Sequence, residues 1–467
     1  MAGEIPLPED FFEDEDDDGA AEPVNVLPLA ENEDEPIPAL REVTAQIVKI
    51  GKDKNVITGA DAEDDSEEGE TVVIVEDPEG LAPKPAALSM WAYALATLFD
   101  GHRSAKQACE AFAEKFKQPV PIEHALDLQL ELDKALFLYS TRFEKTLKRQ
   151  IRSYLDEDLR APAHAGTSYP SDPEALQETI SGYFTSPDGP GALPDPAKAP
   201  HPLNTIRAMM LPHYDLRSGG ATYAHGYAEI LKNCQADLFV ILGVAHQAPG
   251  EALYYVSQKN FATPLGIAKT ERAMAQRLQK AAETDVALAE LAHRLEFSVE
   301  FQVVLLSALM QRYKREFEII PVVCGSADLF IGSDADPFNS DAFTYFVDAL
   351  RNELEKSNRK WCVISSVDLS QVGPEYGNSA MMTERLLPPV RRGDERFLNP
   401  LLRLDSAAAY AEIVRTQNAR HIDGVMPVLT MLEACKGSLK SGRLLHYDQM
   451  MREGTHSACT FASMAFE

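Results

Sequence analysis

From about residue 159 to the end of the chain, short apolar runs alternate with stretches whose apolar residues recur at helical spacing. Ile206–Leu211, Leu238–Gly243, Leu253–Ser257, Phe317–Cys324, Trp361–Ser366, Arg443–Tyr447 and Ala458–Phe466 read as strands. The segments 173–184, 221–233, 270–283, 299–312, 341–355, 405–416 and 425–436 read as helices. Strand and helix in alternation predict an α/β domain over 159–467, with a central, largely parallel sheet and helices on both faces. Sheets of this kind bind ligands beyond the carboxyl ends of their strands, so the residues after each run become the ones to inspect.

Upstream the pattern changes. Thr71–Val75 is β-branched and short, as a strand would be. Apolar residues then follow helical spacing through Trp91, Leu95 and Leu98 until Asp100-Gly101 breaks the run. Ser104 is placed to cap a second helix through Cys109, Phe112 and Phe116, and a third carries Leu126 to Leu132. Three short helices beside a strand or hairpin predict a small winged-helix-like α+β domain over 71–145. The charged, helix-prone segment 146–158 is read as a connector.

Composition changes the picture at the front of the chain. The formal net charge is −29, but residues 1–80 hold 26 Asp/Glu against four Lys/Arg, which leaves only −7 for the other 387 residues. Runs such as Glu13–Asp18 repel themselves and carry little apolar surface, so 1–70 is predicted to be a mostly disordered acidic tail, with Val43–Ile50 either a strand or a transient segment within it. The acidity disfavours nucleic acid, whose phosphates require clustered Lys and Arg. No apolar run is long enough for a membrane span and no basic region precedes an apolar core at the N-terminus, so a cytoplasmic chain is expected. Six scattered cysteines without close spacing are expected to be buried thiols.

The candidate chemistry lies after the strands. His213 follows 206–211 and His246 follows 238–243, and two imidazoles at equivalent strand ends can share one metal ion. Either alone reads more readily as a hydrogen-bonded structural histidine, and it is the matching positions of the two that bring a shared site level with that reading. Arg217-Ser218-Gly219-Gly220 leads into a helix whose free amides suit an anionic group, which brings in Ser218. Glu296 and Glu300 flank Ser298 at a helix start, where capping and dipole complementation are the plain alternatives. Asp368 and Gln371 follow the strand 361–366, where a delivered carboxylate often marks a site and a turn cap is the plain alternative; Asp423-Gly424 opens a helix, where capping is the first reading.

Taken in order, Ala163–Asp172, Pro212-His213 with Ser218-Gly219, Gly243–His246, Thr263–Gly266, Glu296-x-Ser298-x-Glu300 and Ser365-Ser366-x-Asp368-x-Ser370 resemble the motifs of Memo-like proteins over about 160–467. That family shares the fold of the class III extradiol dioxygenases. The turn Asp100–Ser104 ahead of an amphipathic helix is similar to the PqqD-like peptide-binding domains, although a plain helical packing module fits it equally.

The Memo resemblance implies that His213 and His246 match the family histidines at its metal site and that Asp368 matches the aspartate of a D-x-S-H motif. Here that motif ends in Gln371, the family's E-H-S-x-E histidine is Phe297, and its site cysteine is Asp423. A two-histidine, one-carboxylate set of His213, His246 and Asp423 is then expected, with iron as first candidate among divalent transition metals and with Asp368, Gln371, Glu296, Glu300 and Ser218 lining the pocket. Gln371 cannot act as an acid or base, which argues against dioxygenase turnover. The alternative is a non-catalytic adaptor on a degenerate enzyme fold. Its partner would be a peptide or protein, the resemblance pointing to radical-SAM and AMMECR1-type proteins.

Overall fold

The computed structural model describes residues 26–51, 56–57, 69–77, 81–82, 84–197, 201–248, 250–331 and 336–467. Its contacts divide the chain into two units between Tyr154 and Leu155. The first holds β1 (Thr44–Gly51), β2 (Val56–Ile57), β3 (Gly69–Glu76) and β4 (Ala86–Ser89), followed by α1 (Met90–Ala96), α2 (Ala105–Phe116), α3 (Ile122–Lys134) and α4 (Thr141–Asp156). The strands form an antiparallel sheet in the order β2-β1-β3-β4, larger than the single strand or hairpin read from the sequence. Ser104 caps α2 as expected: its hydroxyl accepts from Gln107 N at 3.3 Å while the Gln107 side chain accepts from Ser104 N at 3.0 Å.

Two expectations for this region need correction. Residues 26–51 do not belong to a disordered tail. Ile37 is wholly buried, Gln129 exchanges two hydrogen bonds with the backbone of Ala30, and buried Arg41 pairs with Asp77 at 3.0 Å. Charge averaged over 1–70 hid these apolar positions, because Glu31–Glu35 lie exposed while Ile37 and its neighbours turn inward. Within that stretch, 1–25, 52–55 and 58–68 lie outside the described residues. The connector 146–158 is mostly the second half of α4, which buries Phe143, Leu147 and Ile151 one helical turn apart.

The second unit contains β5 (Leu159–Arg160), α5 (Pro173–Thr185), β6 (Ala208–Leu211), α6 (Leu216–Asn233), β7 (Leu238–Val244), β8 (Tyr254–Val256), β9 (Asn260–Thr263), β10 (Gly266–Thr270), α7 (Arg272–Ala282), α8 (Val286–Arg294), α9 (Phe297–Arg312) and β11 (Glu318–Cys324). It continues through α10 (Asp341–Lys356), β12 (Trp361–Ser366), β13 (Gln371–Val372), α11 (Leu387–Leu402), α12 (Ser406–Thr416), α13 (Val425–Ala434), β14 (Gly442–Arg452) and β15 (Ser457–Phe466). The unit is α/β, as predicted. Its sheet follows the path β13-β15-β6-β12-β7-β11-β10-β9-β5, with β14 on β15 and β8 on β11.

From β6 through β12, β7 and β11 to β10 the neighbours run parallel, while β15 and β9 add antiparallel edges. The sheet is therefore mixed, parallel through its centre and again at the edge where β5 joins β9. The central runs are mostly apolar because both faces are covered, with Ser365 and Ser366 closing β12. Along β7, Leu238, Val240 and Leu242 pack into one core, and Phe239 and Ile241 into the other. The period of two thus builds two cores from one strand. Helices α7 and α10 to α13 cover the first face, and α5, α6 and α9 the second.

Candidate metal centre

Three adjacent parallel strands, β6, β12 and β7, each deliver a polar side chain two residues past their last strand position. These are His213 after Leu211, Asp368 after Ser366, and His246 after Val244. Asp423 joins them from the loop ahead of α13. Its close approach depends on the next residue: a Cβ on Gly424 would lie 2.1 Å from the Val367 side chain. A side chain on Gly243 would likewise meet Ser298 Oγ at 2.3 Å. Glycine there lets the start of α9 press against β7 and brings Glu296 to His246.

Each imidazole is held by one nitrogen so that the other faces Asp423. His213 Nδ1 donates to the Ser366 carbonyl at 2.9 Å, and His213 Nε2 lies 3.2 Å from Asp423 Oδ2. His246 Nδ1 donates to the Glu296 carboxylate at 3.0 Å, and its Nε2 lies 3.6 Å from the same Asp423 oxygen. Carboxylates and carbonyls behind metal-ligating histidines set the tautomer in this way. Phe297 stacks on the His246 ring with centroids 4.6 Å apart, and the two imidazoles stand edge to face at 5.1 Å.

The flanking groups have separate tasks. Glu296 caps α9 by accepting from Ser298 N at 2.8 Å, and it also accepts from His246 N at 3.1 Å, so one carboxylate both caps and positions. Asp368 Oδ1 accepts from the backbone of His213 and Tyr214 at 3.0 and 3.1 Å, which fixes the turn after β6. Gln371 Nε2 donates to Asp423 Oδ2 at 2.5 Å.

Without a metal the cluster holds protons. Burial opposes a charged His213, but Asp368 and Asp423 outweigh it and raise its pKa to about 9. For His246, burial is likewise overcome by Glu296 and Asp423, to about 10. Burial would raise Glu296, yet His246 brings it down to about 2, and the two imidazoles hold Asp423 well below the ordinary carboxylate range. Asp368 goes the other way: burial dominates and lifts it to about 6.

These residues fit a metal ion. One ligand atom from each of His213, His246 and Asp423 lies within 4.8 Å of the other two. Donors about 2.0–2.2 Å from one ion would stand about 3–3.5 Å apart, near the observed 3.2 and 3.6 Å from imidazole to carboxylate. Among the described residues Asp423 Oδ1 is buried without a hydrogen-bond partner, so the carboxylate keeps an oxygen free to meet a cation. The His246 and Asp423 side chains are 26% and 17% exposed, so the cluster meets solvent on one side.

The structure does not bring every sequence-predicted residue to this point. Glu300, one turn along α9, is buried against Arg160 and accepts from Ala163 N, His164 N and Tyr169 Oη. It anchors the segment after β5 and leaves the pocket to Glu296. Ser218 is exposed on the first turn of α6, where the Asp215 side chain already accepts from Arg217 N at 2.7 Å and occupies the cap proposed for an anion. Sequence reading missed Cys459, whose thiol lies 3.8 Å from Asp368 Oδ2. It also missed the stacking role of Phe297. Cys459 carries no local signal, since β15 pairs with β6 from the far end of the chain. All six cysteines are free and buried.

The fold and cluster together define an α/β protein with two histidines and a carboxylate gathered at the carboxyl edge of its parallel strands. Comparison with known proteins gives the class a family: residues 160–465 match the model for Memo-like proteins, and the chain belongs to that family. Its C-terminal unit accordingly has the family's dioxygenase-like fold. A MEMO1 family protein of Aquifex aeolicus (strain VF5) is 28% identical over 394 residues, 84% of this chain and 95% of the relative. That match is longer than the C-terminal unit, so it reaches into the N-terminal one. MEMO1 family proteins of Methanobrevibacter smithii (33% identical; 45% of this chain, 69% of the relative) and Thermococcus onnurineus (25%; 66% and 99%) also match.

Among the described residues no helix is long and apolar enough to cross a membrane.

Proposed function

We propose that this Memo-like protein is a metalloprotein in which His213, His246 and Asp423 hold one divalent transition metal ion, iron first. The observation that supports this most is the orientation of both imidazoles, each tied at Nδ1 so that Nε2 converges on a carboxylate with an unsatisfied buried oxygen. Two imidazoles and one carboxylate suit ferrous iron and leave further coordination positions for an exogenous ligand.

The chain's own groups limit what such a site does with protons. Gln371 orients Asp423 through its amide and cannot exchange a proton near neutral pH. A carboxyl that can exchange a proton stands beside the cluster, Asp368, whose Oδ2 lies 3.8 Å from His213 Nε2. We therefore read the site as metal-binding with altered proton chemistry, its substrate unassigned. A second reading, a non-catalytic module for a peptide or protein partner such as a radical-SAM or AMMECR1-type protein, is favoured by the Gln371 amide locked onto Asp423.

Anaerobic calorimetric titration of chelator-treated protein with Fe(II), and separately with Zn(II), tests the first reading. One saturable site per chain is expected. Absence of one-to-one binding by either ion would overturn it and leave the partner-binding reading.

A further inference from the structure

In a chain of net charge −29, α4 stands out as basic: it carries Arg142, Lys145, Lys148, Arg149 and Arg152 against Glu144 and Asp156. Its apolar side is buried through Phe143, Leu147 and Ile151, which removes the face an amphipathic helix would offer a membrane. Arg142, Lys145, Arg149 and Arg152 are exposed at spacings of three, four and three residues. They form one stripe about 15 Å long. Lys148 pairs with Glu144 at 3.4 Å and Arg142 reaches Asp133 only at 3.7 Å. Lys145, Arg149 and Arg152 make no ion pair among the described residues. Like charges at such spacings repel, so the stripe destabilises its helix unless an anion covers it.

The described chain starts beside this stripe. Leu27 N donates to the Tyr139 carbonyl and Thr141 N donates to the Leu27 carbonyl, each at 3.2 Å, where α4 begins. A surface cleft of about 490 Å³, lined by Leu29, Thr141, Arg142, Lys145 and Arg149 among others, continues along the helix. Residues 1–25, outside the described residues, contain ten Asp/Glu and no Lys or Arg, and eight of the ten positions 9–18 are acidic. The eight steps from Asp18 to Val26 span up to about 28 Å of extended chain, enough to lay that acidic run along the stripe. A tether this short gives the run an effective concentration of the order of millimolar.

We propose that residues 9–18 dock in cis on the basic stripe of α4, with their carboxylates against Arg142, Lys145, Arg149 and Arg152. The docked run covers a strongly cationic face that the N-terminal unit would otherwise offer to an acidic partner.

Zero-length carbodiimide cross-linking of the full-length protein, read by peptide mass spectrometry, tests this. Wild type should join Lys145 to Asp or Glu of residues 9–18 within one chain, with a yield falling at least tenfold in 0.5 M salt and in the variant Arg142→Glu/Arg149→Glu/Arg152→Glu, which retains Lys145. The milder Arg149→Gln/Arg152→Gln should lower it severalfold without charge reversal, and the salt series needs no variant at all. Equal yield in all conditions, or absence of the link in wild type, would overturn the proposal. A link found only between chains in an isotopically mixed sample would also overturn it and assign the stripe to a second copy.

Discussion

Glu296→Gln separates two roles that one carboxylate combines. Glu296 serves three donors, Ser298 N, His246 N and His246 Nδ1, and the amide that replaces it has a single acceptor oxygen. At least one buried donor is left unmet, at about 1–3 kcal/mol. The electrostatic part is read from the carboxyl itself, drawn from 4.5 to about 2 against the cost of burial, mainly by His246. That displacement corresponds to ~3 kcal/mol favouring the folded state, present above pH 4.5 and lost as pH falls toward 2. The raised His246 describes the same ion pair with Asp423 added, so the two effects are not summed. We expect the metal-free variant to lose about 2–3 kcal/mol of stability in urea denaturation. In chelator competition its metal affinity should fall about 10–100-fold, because His246 loses the group that fixes its tautomer. Lost stability with affinity within twofold of wild type would refute the reasoning and reduce Glu296 to a helix cap.

Other outcomes follow from the same geometry. Because His213 and His246 are raised to about 9 and 10, their contribution to metal-free stability is complete below about pH 6.5 and is lost as pH rises through 9 to 10. Metal binding must displace those protons, so affinity measured by chelator competition should climb between pH 6 and 9, and a flat profile would contradict the assignment. Gly243→Ala puts a Cβ 2.3 Å from Ser298 Oγ and should cost about 1–3 kcal/mol in thermal or urea denaturation while loosening the metal. Arg160→Met leaves Glu300 buried without its partner and should cost about 3–5 kcal/mol, yet metal stoichiometry of the folded fraction should stay at wild-type level. A lost metal there would return Glu300 to the site.

Much of this was readable from the chain. The runs at β6 and β7 are continuous and apolar, and β12 is so up to Ser365, because two helical layers cover them, so both the α/β class and the positions after the strands followed directly. His213, His246 and Asp423 were legible as types at strand ends and before a helix. What sequence could not rank was Glu296 against Glu300: both sit at the start of α9, and only the approach of β7 over Gly243 decides which reaches His246. Ser218 failed for a local reason, the Asp215 side chain already in its place. The two-residue strands β5 and β13 lay below the length at which alternation is informative, and β9 and β10, of four and five residues, were not read as strands. The acidic stretch misled because its inward-facing run, Ile37 to Arg41, is short, lies between acidic segments and finds its partners through distant segments of the unit.

The central claim is that three side chains from β6, β7 and the start of α13 share one ion. Elemental analysis of untagged protein after equilibration with Fe(II) tests it most directly, with wild type beside His213→Ala, His246→Ala and Asp423→Ala, each confirmed as folded. About one ion per wild-type chain is expected, with at least a tenfold loss in every variant. Equal metal content in all four proteins would contradict the account.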